Sequence, residues 1–247
     1  LLDTWEYKPG QVLVRRFAAK DGTEKIQLRL DLGLLQMNAE GRPDGKRPLG
    51  HESFFHHLVS QLEKHRAAND GSDEAFVLAG EDCARLQQEA IQFHHRYICR
   101  FQLGDYEGVV RDANRNLEVF EFVGNHAETR ELAWSIQLFG PQLLMMRTRA
   151  EGTRAIKEER HEDALAQIDL GIEALETFYR NNDREDMIEQ SGEMNSLRQW
   201  RAEVEARRPV SDFEKLRRQL DEAIRVEDYE AAARLRDKMR RLGGSSS

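Results

Sequence analysis

Histidine and carboxylate side chains gather at two places where they could bind a metal ion. The clusters are His51, His56 and His57 with Glu52, and the pair His94-His95. A metal site on one helix face needs ligands three or four residues apart, whereas adjacent histidines on a helix point about 100° apart. We therefore expect surface or half-buried histidines at both places and no metal site.

Signatures of catalysis are missing from the rest of the sequence. His161-Glu162-Asp163 combines an imidazole with two carboxylates, but it stands where the helical pattern needs a turn. Cys83 and Cys99 are the two cysteines, a number that gives neither a disulfide framework nor a zinc set and suits a reducing cytosol. The sequence contains no Gly-rich phosphate loop and no G-x-S-x-G elbow. We therefore predict a non-enzymatic protein that needs no cofactor.

The overall composition limits the class of protein further. Charged residues make up 33% and hydrophobic residues 39% of the 247 residues, as is typical of exposed helical surfaces. The net charge of -8 argues against a general nucleic-acid binder, which needs a basic face, although a local basic stripe stays open. No run approaches the ~18 apolar residues of a membrane span. We predict a cytoplasmic protein without membrane association.

The N-terminal part of the chain differs from the rest and predicts a β-hairpin. Val12 and Val14 precede the turn residues Lys20-Asp21-Gly22-Thr23, after which apolar and polar residues alternate. The alternating apolar residues are Ile26, Leu28, Leu30, Leu32 and Leu34. Period-two alternation around an Asp-Gly turn predicts two strands with one buried face. Because a lone hairpin is marginally stable, we expect it to pack on the first helix, residues 51–66.

A loop rich in glycine and proline follows, with the sequence NAEGRPDGKRPLGHES at residues 38–53. Glycine supplies positive φ and proline fixes its own φ, so the loop is expected to have a defined shape. Arg42, Lys46 and Arg47 make it locally basic. Two interpretations stay open: a loop that binds an anionic partner, or a connector whose charges face water.

From residue 51 onward the pattern is helical and contains a faint internal repeat. The copies are RFQLGDYEGVVRDANRNLEVF at 100–120 and KEERHEDALAQIDLGIEAL at 157–175. When the two copies are aligned with Gly104 opposite Glu159, Val109 aligns with Ala164, Ala113 with Ile168, and Asn116 with Gly171. The pattern resembles the tetratricopeptide repeat, whose Gly-Asp-Tyr turn precedes a small residue that lets two helices approach closely. Because the ~34-residue period is absent, we predict a divergent array of helical hairpins.

The last segment, DFEKLRRQLDEAIRVEDYEAAARLRDKMRRL at 212–242, has its own pattern. Two apolar-spaced stretches flank the turn Glu227-Asp228-Tyr229-Glu230, followed by Ala231–Ala233 and then by Leu235-Arg236-Asp237. The first stretch carries Phe213, Leu216, Leu220, Ala223 and Ile224, and the second ends in Met239 and Leu242. This segment resembles the UVR motif, the helical hairpin shared by UvrB and UvrC, with Tyr229 where that family usually has Phe.

That resemblance implies a docking module. In UvrB and UvrC similar hairpins associate with each other, and the motif also serves protein contact in the activator of the bacterial protein-arginine kinase and in a Clp-type unfoldase. By the resemblance, the partner-binding residues are Tyr229, Glu230, Ala233, Leu235, Arg236, Asp237 and Met239. A hairpin of this length buries too little to be stable alone, so its apolar stripe needs a partner surface. Alternatively it packs back as one more repeat, because EDYEAA matches the GDYEGV turn at 104–109.

The predicted fold is mainly α. It is a helical-hairpin, tetratricopeptide-like array with a small N-terminal β-hairpin module and a C-terminal UVR helical hairpin. We expect the β-hairpin and loop module at 1–50, the helical-repeat body at 51–208, the UVR hairpin at 209–242 and a flexible tail at 243–247.

Three functions follow from these features. The preferred one is a bacterial-type, non-enzymatic adaptor that docks on another protein, including one with a UVR hairpin or a second copy of this chain. The second is a nucleic-acid-associated factor of excision repair. Nucleic acid is the less favoured class of partner, and it would be bound by the 42–47 loop and by the cations Arg234, Lys238, Arg240 and Arg241. The third is a regulator of a protein-arginine kinase or a Clp-type protease.

Overall fold

A computed structural model describes residues 5–209 and 212–243, with the side chains of 215–240 in the last segment. Three strands come first, β1 (Leu13–Ala18), β2 (Glu24–Leu30) and β3 (Gly33–Asn38). The helices of the described residues are α1 (Phe54–Ala68), α2 (Gly80–Gln102), α3 (Tyr106–His126), α4 (Arg130–Gln137), α5 (Gly140–Lys157), α6 (His161–Asn181), α7 (Gly192–Arg207), α8 (Asp212–Arg225) and α9 (Tyr229–Gly243). Short 3-10 turns lie at Pro48–Gly50 and Glu185–Met187. The expected mainly α fold with a small N-terminal sheet is confirmed.

The strands form one antiparallel sheet in the order β1-β2-β3. The predicted hairpin at the Asp-Gly turn is confirmed, with Ala18 paired to Glu24. The prediction of a single strand from Ile26 to Leu34 is wrong, because the chain reverses between the paired residues Leu30 and Gly33. Leu32 lies in that reversal with 92% of its surface exposed.

The reversal changes the face on which the apolar residues lie. Cross-strand partners share a face of a sheet, and Ile26 pairs with Met37 whereas Leu34 pairs with Arg29. Leu34 therefore lies on the opposite face from Ile26, although period-two counting places them together. The Arg29 face is covered too, since Arg29 is buried and its Nε donates to the carbonyl of Trp5 at 2.8 Å.

The apolar face of the sheet packs on α2. Ile26, Met37 and Ala39 form a small core with Cys99, and Leu103 packs against it. The expectation that the sheet packs on the first helix is corrected here. The buried face of α1 instead joins the main core, through Phe54, Phe55, Leu58 and Leu62.

The main core is formed by residues of α1 to α5, and the helices pair into two hairpins, α2–α3 and α5–α6, with α4 between them in the chain. Helix α5 packs against both α3 and α6. The residues that the alignment pairs within the helices are all buried: Val109, Ala113, Asn116, Ala164, Ile168 and Gly171. Thr148 on α5 lies so close to Gly171 that a Cβ there would overlap its side chain. Gly171 therefore allows α5 and α6 to approach closely.

Both hairpins turn in the same way. Gly104 and Glu159 have φ values of 74° and 59°, so the aligned positions share a left-handed conformation. The amide of the following residue then donates to a carbonyl five residues earlier, from Asp105 to Arg100 and from Arg160 to Ala155, each at 2.9 Å. These hydrogen bonds satisfy the last carbonyls of α2 and α5.

The contacts divide the chain into two compact units, Leu1–Ala202 and Glu203–Ser247. The sheet, its small core and the two hairpins belong to the first unit, and α8 and α9 belong to the second. The second unit contains the segment for which the sequence predicts protein contact.

Candidate interaction hairpin and pinned loop

Helices α8 and α9 form an antiparallel pair joined by a tight turn. Glu227 in the turn has a φ of 61°, and the Asp228 amide donates to the Ala223 carbonyl at 2.8 Å. The Asp228 carboxylate then accepts the Ala231 amide at 2.9 Å and caps α9. This is the turn seen at Gly104, where Asp105 accepts the Gly108 amide at 3.0 Å. Ser and Asp are favoured N-caps, so the sequence predicts a cap of α8 at Ser211 or Asp212, but that cap lies outside the residues and side chains that the structure describes.

Small residues form the centre of the contact between the two helices. Ala223 on α8 and Ala232 on α9 are buried, with 7% and 9% of their surface exposed. The half-buried residues along the same seam are Leu216, Leu220, Leu235 and Met239. Of the three successive alanines that the sequence assigned to the close approach, only Ala232 is buried, whereas Ala233 is exposed. Consecutive helical residues point in different directions, so only one of three faces the partner helix.

Large apolar side chains remain exposed around the turn. Ile224, Val226 and Tyr229 expose 53%, 60% and 70% of their surface. They stand within six consecutive positions that span the end of α8, the turn and the start of α9. We call these three residues the apolar tip.

Charge is distributed unevenly between the two ends of this hairpin. Around the turn stand the acidic residues Asp221, Glu222, Glu227, Asp228 and Glu230. Toward the other end, where α8 begins and α9 finishes, stand Lys215, Arg217, Arg218, Arg236, Lys238 and Arg240. Local pairs, such as Arg225 with Glu222 at 2.6 Å, balance part of the acidic charge. The apolar tip is therefore surrounded mainly by acidic side chains.

Comparison with known families assigns this segment. The family model of the UvrB/uvrC motif matches residues 214–245. The C-terminal hairpin is a UVR motif. No curated protein and no solved structure matches the chain. The UVR motif is a protein-interaction module, and α8 with α9 is called the UVR hairpin from here on.

The structure places the seven predicted partner-binding residues in two settings on the UVR hairpin. Exposed to solvent are Tyr229, Glu230, Ala233, Arg236 and Asp237. Leu235 and Met239 are half-buried along the seam between the helices. Tyr229 lies at the apolar tip, whereas Arg236 lies toward the basic end. These residues therefore do not form one patch.

The predicted anion-binding loop is held by buried charges of α2 and α3. Arg42 of the loop points inward, with its Nε 3.2 Å from the buried Glu89 carboxylate. Glu89 also accepts the amides of Phe54 and Phe55 at the start of α1, and it pairs with Arg115. Lys46 and Arg47 are the cations of this loop that remain exposed. An anion would therefore meet two cations there, not three.

A second buried cluster holds the preceding part of the loop. Arg96 makes a bidentate contact with Asp112 at 2.8 and 2.7 Å and donates to the Gly41 carbonyl at 2.6 Å. Arg100 donates to the Ala39 carbonyl and to Asp105. Burial lowers the pKa of the neighbouring Arg115 to about 10, although the charge of Glu89 opposes that shift.

Sequence reasoning missed these charged residues, although a signal was present. Glu89, Arg96 and Arg100 follow the buried stripe of α2 at spacings of three and four, together with Leu86 and Phe93. Charged residues inside an apolar stripe are buried only when they are paired. The stripe therefore predicts ion pairs with another element, but not which element supplies the partners.

The histidines take part in local contacts. The rings of His51 and His57 lie 5.1 Å apart, and His94 Nδ1 is 2.7 Å from the Tyr97 hydroxyl. Burial lowers the pKa of His57 and of His94. Within the described residues, no three His, Cys, Asp or Glu side chains come together as metal ligands. Within the same residues, no helix is long and apolar enough to cross a bilayer.

Proposed function

We propose that this protein is a non-enzymatic, cytoplasmic adaptor that docks on another protein through its UVR hairpin. One observation carries the proposal: a UVR motif that exposes Ile224, Val226 and Tyr229 together at its turn. Exposed apolar groups that stand together favour an interface, because burying them releases about 25 cal/mol per Å². The partner class that fits best is another short helical hairpin, on a second protein or on a second copy of this chain.

A site-specific photo-cross-link tests this contact. A benzophenone amino acid replaces Tyr229 in one variant and Leu32 in the other, since both side chains are highly exposed and lie in different units. After irradiation in a lysate of the source cells, we expect the variant at position 229 to give a discrete covalent adduct. An adduct of twice the chain mass identifies a second copy, and any other mass identifies a different protein.

The variant at position 32 is the control for exposure alone. Adducts of equal yield at both positions, or none at position 229, would exclude the UVR hairpin as the docking site. Leu235→Asp should also reduce the yield at position 229, because the seam that shapes the hairpin loses an apolar side chain.

The second candidate is a nucleic-acid-associated factor of excision repair. It is supported by the basic end of the UVR hairpin, where Lys238 and Arg240 are exposed. Arg234 has its guanidinium 3.8 Å from Glu230, which reduces its availability for phosphate. The side chain of Arg241 lies outside the described ones. Regulation of a protein-arginine kinase or a Clp-type protease stays a hypothesis from resemblance, and it would be a special case of the adaptor.

A further inference from the structure

A large groove lies in the first unit. It measures about 1160 Å³, more than the usual volume of a small-molecule pocket, which reaches about 1,000 Å³. Helices α3 and α6 line its two sides, α4 supplies part of its wall, and Leu144 of α5 also lines it. The wall on α6 runs from Leu170 to Asn181, about 16 Å at the rise of an α-helix. That length accommodates about five residues of extended chain.

Aromatic and apolar side chains line the groove. The rings of Trp134 and Phe178 stack with their centroids 6.2 Å apart. Leu170, at one end of the α6 wall, leaves 57% of its surface exposed. These groups offer contact area to apolar side chains of a ligand.

Acidic groups dominate the charge around these rings. The groove has four carboxylates, on Glu121, Glu131, Glu173 and Asp183, and two guanidinium groups. Both guanidinium groups are engaged: Arg130 lies 3.9 Å from Asp183, and Arg184 lies 5.1 Å from the Trp134 ring centre. The other three carboxylates have no ion-pair partner within the part of the chain that the structure describes. A ligand that supplies cations would gain these pairings.

Amide side chains complete the lining. Asn125 and Asn181 are exposed on opposite walls, and their side-chain amides have no hydrogen-bond partner among the described residues. A carboxamide both donates and accepts, which matches the alternating N–H and C=O groups of an extended backbone. This favours a ligand whose backbone is accessible, unlike that of a helix.

We propose that this groove binds an extended peptide of about five residues in which basic and bulky apolar side chains alternate. The apolar side chains lie on Trp134, Phe178 and Leu170, while the basic ones pair with Glu121, Glu131 and Glu173. The groove is thus a second protein-binding site, separate from the UVR hairpin. A protein with both sites joins two partners.

The 247-residue chain and two fluorescein-labelled peptides test the proposal by fluorescence anisotropy. The probe is Arg-Leu-Arg-Leu-Arg, and its counterpart is Glu-Leu-Glu-Leu-Glu. We expect saturable binding of the basic peptide alone. Glu121→Lys should weaken it about tenfold, since an attraction becomes a repulsion at short range. The matched control is Glu118→Lys, an exposed residue of α3 that does not line the groove and whose replacement changes the net charge equally.

Each other outcome overturns the proposal. Equal weakening by Glu118→Lys and Glu121→Lys would show general attraction to an acidic protein. Equal binding of the acidic peptide, or no binding of the basic one, would exclude the charge complementarity. A second readout locates the site: with unlabelled peptide, tryptophan emission should change in the wild type but not in Trp134→Phe. An unaltered response in that variant would place the peptide elsewhere.

Discussion

At the scale of single residues, Asp105 connects three parts of the first unit. Its carboxylate caps α3 and also lies 2.6 Å from Arg100 of α2 and 2.6 Å from Arg16 of β1. Burial raises the pKa of Asp105, but the amide of Gly108 and the two guanidinium groups outweigh burial and hold that pKa below its ordinary value. The ionised carboxylate therefore stabilises the native state.

Replacing Asp105 with Asn should change how acid affects stability. The folded pKa is lower than the unfolded one, so the stabilisation is fully present above the unfolded value near 3.8 and is lost as pH falls through the folded pKa. Asn retains a capping oxygen but removes the charge, so we expect Asp105→Asn to lose about 1 kcal/mol at pH 7. Urea unfolding between pH 7 and pH 2.5 measures the difference.

The two unfolding profiles should converge toward low pH. Parallel profiles for wild type and Asp105→Asn would show that the charge of this carboxylate does not contribute. Asp105→Ala serves as the comparison, since it removes the cap as well and should cost more at every pH.

At the scale of elements, one turn geometry closes three helical hairpins. Gly104, Glu159 and Glu227 occupy the equivalent left-handed position in the turns after α2, α5 and α8. Glycine adopts this conformation without strain, whereas glutamate does so at a cost. This left-handed conformation therefore costs more free energy at Glu159 and Glu227 than at Gly104.

Exchanging the residue at this position should shift stability in opposite directions in the two hairpins of the first unit. We expect Glu159→Gly to stabilise that unit by about 1 kcal/mol and Gly104→Ala to destabilise it by a similar amount. Space does not limit the second change, because the nearest atom to the added Cβ is Lys157 Nζ at 3.8 Å. Urea midpoints of the two variants report both effects.

A loss of stability in Glu159→Gly would contradict the expected relief of backbone strain at this position. It would mean that the greater freedom of glycine in the unfolded chain outweighs the relief of strain.

At the scale of the whole molecule, the net charge of -8 and the mixed charge of the UVR hairpin oppose phosphate binding. We expect no binding of single-stranded or duplex DNA at 0.15 M salt, and only weak binding at 0.02 M that disappears as salt is raised. Fluorescence anisotropy with labelled 30-mers measures it. Tight binding that falls steeply with salt would favour the excision-repair candidate over the adaptor. The double variant Lys238→Glu/Arg240→Glu should then abolish DNA binding. The double variant Lys46→Glu/Arg47→Glu tests whether the 42–47 loop contributes to that binding.

The predictions that the structure confirms concern neighbours along the chain. The Asp21-Gly22 reversal, the turns at Gly104 and Glu159 and the helical body depend on conformations set within a few residues. The UVR motif belongs with them, because its turn, small residues and apolar spacing lie within one segment, 214–245. The tetratricopeptide resemblance and the boundaries at 50, 208 and 242 remain predictions.

The sequence by itself therefore determined the helical body, the turns at Asp21-Gly22, Gly104 and Glu159, and the hairpin that carries the family motif. The reversal between Leu30 and Gly33, which puts Leu34 on the opposite face from Ile26, is a local turn that the alternation of residues did not indicate. The tertiary structure alone decided that the sheet packs on α2 and that Arg42 points inward to Glu89. It also decided that α3, α4 and α6 enclose a groove around Trp134. These features depend on contacts between residues far apart in the chain, which spacing and composition do not encode, because a charged side chain finds its partner only when the helices are packed.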